Sequence, residues 1–237
     1  MARRYLAFDI ETAKDVPGAE FNWRAHRPLG IACAAALACD ASAAVLWHGK
    51  APDGRPAARM SREEAAAMVR ELARMIGEGY TLVTWNGLGF DLDVLAEESG
   101  LAAECRELAI GHVDMMFHVL CDKGFPVGLE RAARGMGLAG KPEGMAGELA
   151  PRFWAMGKHN MVLDYVAQDV RIALSLAVTG DQRRRLDWLA QSGRRNSMGL
   201  GGGWLTVREA MRLPLPDTSW MANPIPRGQF TGWLKSR

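Results

Sequence analysis

Several things are scarce in this 237-residue chain, and each scarcity removes a class of function. Four cysteines, Cys33, Cys39, Cys105 and Cys121, are too widely spaced for a zinc ribbon or a redox pair, so reduced buried thiols are expected. Five histidines, His26, His48, His112, His118 and His159, form no close group, which argues for structural roles over metal ligation. No apolar run approaches membrane-spanning length, since the stretch from Ile31 to Cys39 stops at Asp40. The apolar residues after Arg3 and Arg4 give way to Asp9 too soon for a signal peptide, and a cytoplasmic protein is expected. The glycines at 199 and 201–203 lack the Lys-Ser or Lys-Thr of a phosphate-binding loop. Net charge is only +2, but it is unevenly placed. Residues 181–237 carry ten Lys and Arg against four Asp and Glu, leaving 19 basic and 23 acidic residues in 1–180. An acidic body with a basic end suits a metal enzyme acting on a polyanion, although such an end could also simply wrap the body.

What is present is a series of three acidic patches: Phe8-Asp9-Ile10-Glu11-Thr12, then Asn86-Gly87 followed by Phe90-Asp91, then Tyr165 four residues before Asp169. Residues two apart on a strand share a face, so Asp9 and Glu11 project together while Phe8 and Ile10 enter the core. Residues four apart on a helix also share a face, which pairs Tyr165 with Asp169. Four carboxylates gathered without partner charges repel, and hard divalent cations are what would hold them together. Asp93, Asp114 and Asp164 lack motif support and are read as surface or supporting acids.

Hydrophobic spacing predicts strands at Arg4–Ile10, Ile31–Leu37, Ala43–Trp47, Thr81–Trp85 and Val113–Met115, with a turn at Pro17-Gly18. Ser61 and Glu64 form a capping box before Ala65, Met68, Val69, Leu72 and Ile76, which recur at helical spacing as far as Gly77 and Gly79. Asn86–Gly89 reads as a turn and Asp91–Glu98 as a helix. Further helices are expected near 116–122, 128–137, 146–155 and 159–178. Residues 181–237 hold Trp188, Trp204, Trp220 and Trp233, half of the eight tryptophans, and read as an irregular extension packed on a body of residues 1–180.

The motifs resemble those of the DEDD superfamily of 3′ to 5′ exonucleases, and most of all the proofreading exonuclease domain of family B DNA polymerases, over residues 4–180. Another branch carries a histidine five residues before the last aspartate, where this chain has Asp164, whereas Tyr165, four before Asp169, is similar to the tyrosine branch, DEDDy. The resemblance implies an α/β, ribonuclease H-like fold: a five-stranded mixed sheet, its second strand antiparallel to the rest, with flanking helices. It also implies two Mg2+ or Mn2+ ions. Asp9 would bridge them, Glu11 and Asp169 would complete the site that generates hydroxide, and Asp91 would hold the second ion largely through water. Tyr165 would orient the attacking water, because a phenol of pKa near 10 is a poor base. Thr12, Asn86 and Phe90 would grip the unpaired 3′ end of single-stranded DNA, with Leu88 and Trp85 further candidates. An RNA exonuclease of the ribonuclease D type shares the same acids, and a catalytically silent nucleic-acid-binding or polymerase accessory module is the third reading.

Overall fold

The computed structural model describes residues 3–16, 22–140 and 147–235. Its centre is a five-stranded sheet in the order β3-β2-β1-β4-β5. The strands are β1 (Arg4–Thr12), β2 (Ile31–Ala38), β3 (Val45–His48), β4 (Tyr80–Thr84) and β5 (Val113–Asp114). β2 runs antiparallel to β1 and β3, while β1, β4 and β5 are mutually parallel, which is the mixed sheet expected. Among the described residues no helix is long and apolar enough to cross a membrane.

Alternation along β1 assigns the two faces of the sheet. Leu6, Phe8 and Ile10 point into a core made with α1 (Arg62–Gly77), α2 (Asp91–Ser99) and α3 (Ala102–Gly111). Tyr5 and Ala7 point the other way, into a core built largely by α7 (His159–Arg183) through Val162, Val166, Val170 and Ala173. β2 is Ile-Ala-Cys-Ala-Ala-Ala-Leu-Ala and buried throughout. Its small side chains let α7 lie close across the middle of the sheet. Asp9 and Glu11 continue the Tyr5–Ala7 face, so they are aimed at α7.

The capping box at Ser61 is formed in full: Glu64 N donates to Ser61 Oγ and Ser61 N to the Glu64 carboxylate. Strands and helices otherwise fall within a few residues of expectation, except that α3 has no counterpart in the sequence reading. It buries only Cys105, Leu108 and Ala109, too few apolar positions to stand out as a stripe. The Pro17-Gly18 turn lies outside the described residues, as does the start of the helix expected near 146–155. The helix found there is α6 (Ala150–Ala155), after α4 (Met115–Lys123) and α5 (Leu129–Met136). Cys33, Cys105 and Cys121 are buried as expected, whereas Cys39 is exposed, because it follows the last residue of β2 at the sheet's end.

The composition change at Gly180 does not coincide with the end of an element, since α7 continues to Arg183. Beyond it the chain forms an antiparallel hairpin, β6 (Arg185–Leu189) with β7 (Arg195–Gly199), where an irregular path was expected. Short helices α8 (Val207–Ala210) and α9 (Gly228–Thr231) follow. Trp188 and Trp204 are buried in the α7 core, and Trp204 Nε1 donates to Ala177 O at 3.1 Å. Trp220, by contrast, is 67% exposed.

Candidate active site

β1 ends in a register shift between Glu11 and Thr12, a bulge of the kind that re-aims side chains at a sheet's rim. Beside it, α7 presents Tyr165 and Asp169 one turn apart. Carboxylate oxygens of Asp9, Glu11 and Asp169 lie within 4.8 Å of one another. Glu11, Asp169 and Tyr165 are buried and Asp9 is partly exposed. The set lies in a cleft of about 770 Å3, which Thr12, Asn86, Phe90, Asp91 and Trp85 also line.

Asp91 opens α2 and is 3% exposed. Its Oδ1 accepts from Ile10 N at 3.0 Å, which ties the start of α2 to the strand between Asp9 and Glu11. Burial pushes its carboxyl up to about 7, against the opposing pull of the Ile10 N–H and a side-chain hydrogen bond with Asp9. Two carboxyls can hydrogen-bond to each other only by holding a proton between them. This donor set fits a hard divalent cation well: all ligands are carboxylate oxygens, and a cation would take over the neutralising work of that proton. Asp91 belongs beside the three-carboxylate group, joined to it through Asp9.

The turn between β4 and α2 is held by side chains at nearly every peptide. Asn86 adopts a left-handed φ of 76°, uncommon outside glycine. Gly87 is required by contact, because a Cβ there would sit 2.4 Å from Thr84 Oγ1. Gly87 N donates to that hydroxyl at 3.0 Å. His112 Nδ1 lies 2.7 Å from Ala109 O and must donate to it, so Nε2 accepts from the Thr84 hydroxyl at 3.0 Å. That arrangement uses the neutral imidazole, the form burial favours by holding the His112 pKa down. Asp114, expected to be a surface or supporting acid, is 1% exposed. It accepts from Asn86 N at 3.0 Å, Leu88 N at 2.9 Å and Phe117 N at 3.0 Å. Asp93 is buried too, paired with Arg24 at 2.8 Å and with Arg27. Arg24 also donates to Gly89 O at 3.2 Å. Asp164 is on the surface.

The residues read as substrate contacts separate here. Thr12, Asn86 and Phe90 line the cleft, Phe90 meeting Trp23 edge-to-face at 5.0 Å. Trp85 lines it too and donates from Nε1 to Val127 O at 3.0 Å. Leu88 is not brought to the cleft: it is 0% exposed within the α1–α3 core. A turn this tight sends successive side chains to opposite sides, and the motif spacing alone could not say which side Leu88 takes. Asn86 Oδ1 is buried with no hydrogen-bond partner among the described residues, an acceptor left over at the cleft wall. Sequence reading missed Lys14, an exposed cation at the cleft edge, and Trp23, the aromatic behind Phe90. No spacing rule marks either, because Lys14 follows the end of β1 and Trp23 opens a 3-10 helix of only four residues, too short to show a period.

The family model of the RNase_H superfamily matches residues 42–178 of the chain. That stretch holds the second and third acidic patches, and the first lies before it. Among proteins with curated descriptions, none matches the sequence. Among solved structures, the fold is similar to that of the family B DNA polymerase from the hyperthermophilic archaeon Pyrobaculum calidifontis, with a TM-score of 0.52 and 20% identity. The likeness covers 76% of this chain and 25% of the polymerase, so the chain spans about a quarter of that protein's length.

Proposed function

Since the chain belongs to the RNase H superfamily, we propose that it is a metal-dependent 3′ to 5′ exonuclease of the tyrosine branch, acting on the ends of single-stranded DNA. The observation that carries this reading is the group of Asp9, Glu11 and Asp169, with oxygens within 4.8 Å of one another in a wide cleft. Those three residues would hold the divalent cations, with Asp91 completing the set beside Asp9. Bound Mg2+ or Mn2+ supplies a nucleophilic water of lowered pKa and neutralises charge gathering on the phosphoryl oxygens.

The remaining work falls to the chain itself. Tyr165, one turn before Asp169, orients the attacking water through its hydroxyl. Phe90, backed by the edge-to-face ring of Trp23, offers a planar surface for a terminal base. Asn86 lines the same wall as Phe90, and Thr12 lies next to Glu11 on the opposite wall. Lys14 places a positive charge where a phosphate backbone would enter.

The test is digestion of matched 5′-labelled DNA and RNA oligonucleotides with Mg2+, Mn2+ or chelator. A ladder shortening from the 3′ end of DNA, lost on chelation, is expected. Shortening of RNA alone would move the reading to an RNA exonuclease. Folded protein that shortens neither would leave a nucleic-acid-binding or accessory role.

A further inference from the structure

Nothing in the motifs accounts for the far C-terminal segment, yet it reaches the turn between β4 and α2. Trp233 Nε1 donates to Leu88 O at 2.8 Å across 145 residues of sequence. Phe230 lies over Gly89 so closely that a Cβ there would come within 2.6 Å of the ring. Leu88 is thus gripped at both of its peptide groups, its N–H by Asp114 and its C=O by Trp233.

The two jaws share one support. Asp114 caps the N-terminus of α4 through Phe117 N, and near the helix's other end Cys121 O accepts from Arg227 at 2.7 Å. Arg227 also donates to Leu213 O at 2.8 Å and Pro214 O at 2.7 Å, anchoring the segment that leads into Phe230 and Trp233. Phe230 meets Phe117 of the same helix with ring centroids 6.0 Å apart. A single helix therefore fixes both sides of the clamp relative to each other. The turn it holds carries Asn86 and Phe90 on the cleft wall and leads directly into Asp91.

We propose that Trp233 and Asp114 are positioning residues, a clamp that holds the 86–90 turn in register with Asp9 and Glu11. On this view the C-terminal segment acts on the site through Leu88 and Gly89 without touching substrate. The inference rests on the nuclease reading for its kinetic consequence but not for its structural one.

The experiment compares full-length wild type with Trp233→Phe, which keeps a ring but loses the donor, Trp233→Ala, and Asp114→Asn. Hydrogen exchange is followed at residues 85–92 together with kcat and KM on a short 5′-labelled DNA. Exchange at 85–92 should quicken in Trp233→Ala while distant segments keep their protection. Because misplacements of about 1 Å can cost on the order of 100-fold in rate, kcat should fall by about 10- to 100-fold with KM little changed. Trp233→Phe should lie between Trp233→Ala and wild type, and Asp114→Asn should match Trp233→Ala in both readouts. Unchanged exchange at 85–92 in all three variants overturns the clamp, and so does a lower melting temperature with kcat and local exchange unchanged. Wild type that cleaves nothing while the variants still loosen 85–92 would overturn the nuclease reading and leave the clamp standing.

Discussion

The two walls of the cleft are built on different principles. On one wall, Asp9 and Glu11 sit on a central strand and Asp169 on a helix of 25 residues. Backbone ladders and the packing of α7 on β1 and β2 place those carboxylates. On the other wall, Asn86, Phe90 and Asp91 sit on or just after a turn, which has no ladder of its own. There Thr84, Asp114, Arg24 and Trp233 each satisfy a backbone group of the turn. Regular structure positions a functional group using neighbours in sequence, whereas a turn must recruit side chains from far along the chain.

The sharpest way to break this comparison is at the acids themselves. Asp169→Ala should reduce hydrolysis by about 1000-fold with the fold intact, as for loss of an essential charge-stabilising group. Turnover near wild type would remove Asp169 from the site. On the turn wall, Gly87→Ala drives a methyl into the buried Thr84 side chain at 2.4 Å, and overpacking of this sort costs about 1–3 kcal/mol. Its melting temperature should drop by several degrees and its activity should fall further than stability alone explains. A corresponding change in rate without a change in melting temperature would mean the turn is less tightly packed than the contacts imply.

Tyr165→Phe should slow cleavage by about 10- to 100-fold while leaving Mn2+ binding nearly unchanged, since positioning a water is worth part of a general acid–base contribution. An unchanged rate would reduce Tyr165 to a packing residue. The effect of pH should separate the walls from the C-terminal extension. The folded carboxyl of Asp91 is pushed up to about 7, above its unfolded value near 4. The folded state then holds the extra proton, so metal-free protein should lose stability as pH rises through 7, and Mg2+ should restore it. His118 has the opposite sign. Burial lowers it to about 4, its Nδ1 accepts from Leu205 N at 3.3 Å, and it stands edge-on to Trp204, with Asp122 and Glu209 the acids acting on it. Its contribution is full above about 6.5 and lost as pH falls toward 4. Melting curves for His118→Gln that keep the wild-type acid slope would remove His118 as its source. The smallest effect is expected at Arg74, an exposed partner of Glu71 and Glu78 on α1. Arg74→Ala should change neither melting temperature nor cleavage measurably.

The strand wall was nearly complete in the sequence. Charged residues alternating with Phe8 and Ile10 leave one face for the acids, and a four-residue spacing leaves one face for Tyr165 and Asp169. The turn wall was legible only in part. Asn86, Phe90 and Asp91 were found by motif, but Leu88 was assigned to the cleft and lies in the core. Asp114 looked unremarkable because its partners, Asn86 and Leu88, are 28 and 26 residues away. The hairpin β6–β7 and helix α3 were missed because neither carries a strong apolar period.

By itself, the sequence determined which acids share a face and the order of strands and helices that carries them, because strand and helix periodicities translate spacing directly into shared faces. Only the tertiary structure decided that α7 brings Asp169 within 4.8 Å of Asp9 and Glu11, that Asp91 joins them through Asp9, and that Trp233 closes on Leu88. Such contacts depend on how separate elements pack, and packing is set by the volumes and hydrogen-bonding needs of all the elements at once, which no local spacing records.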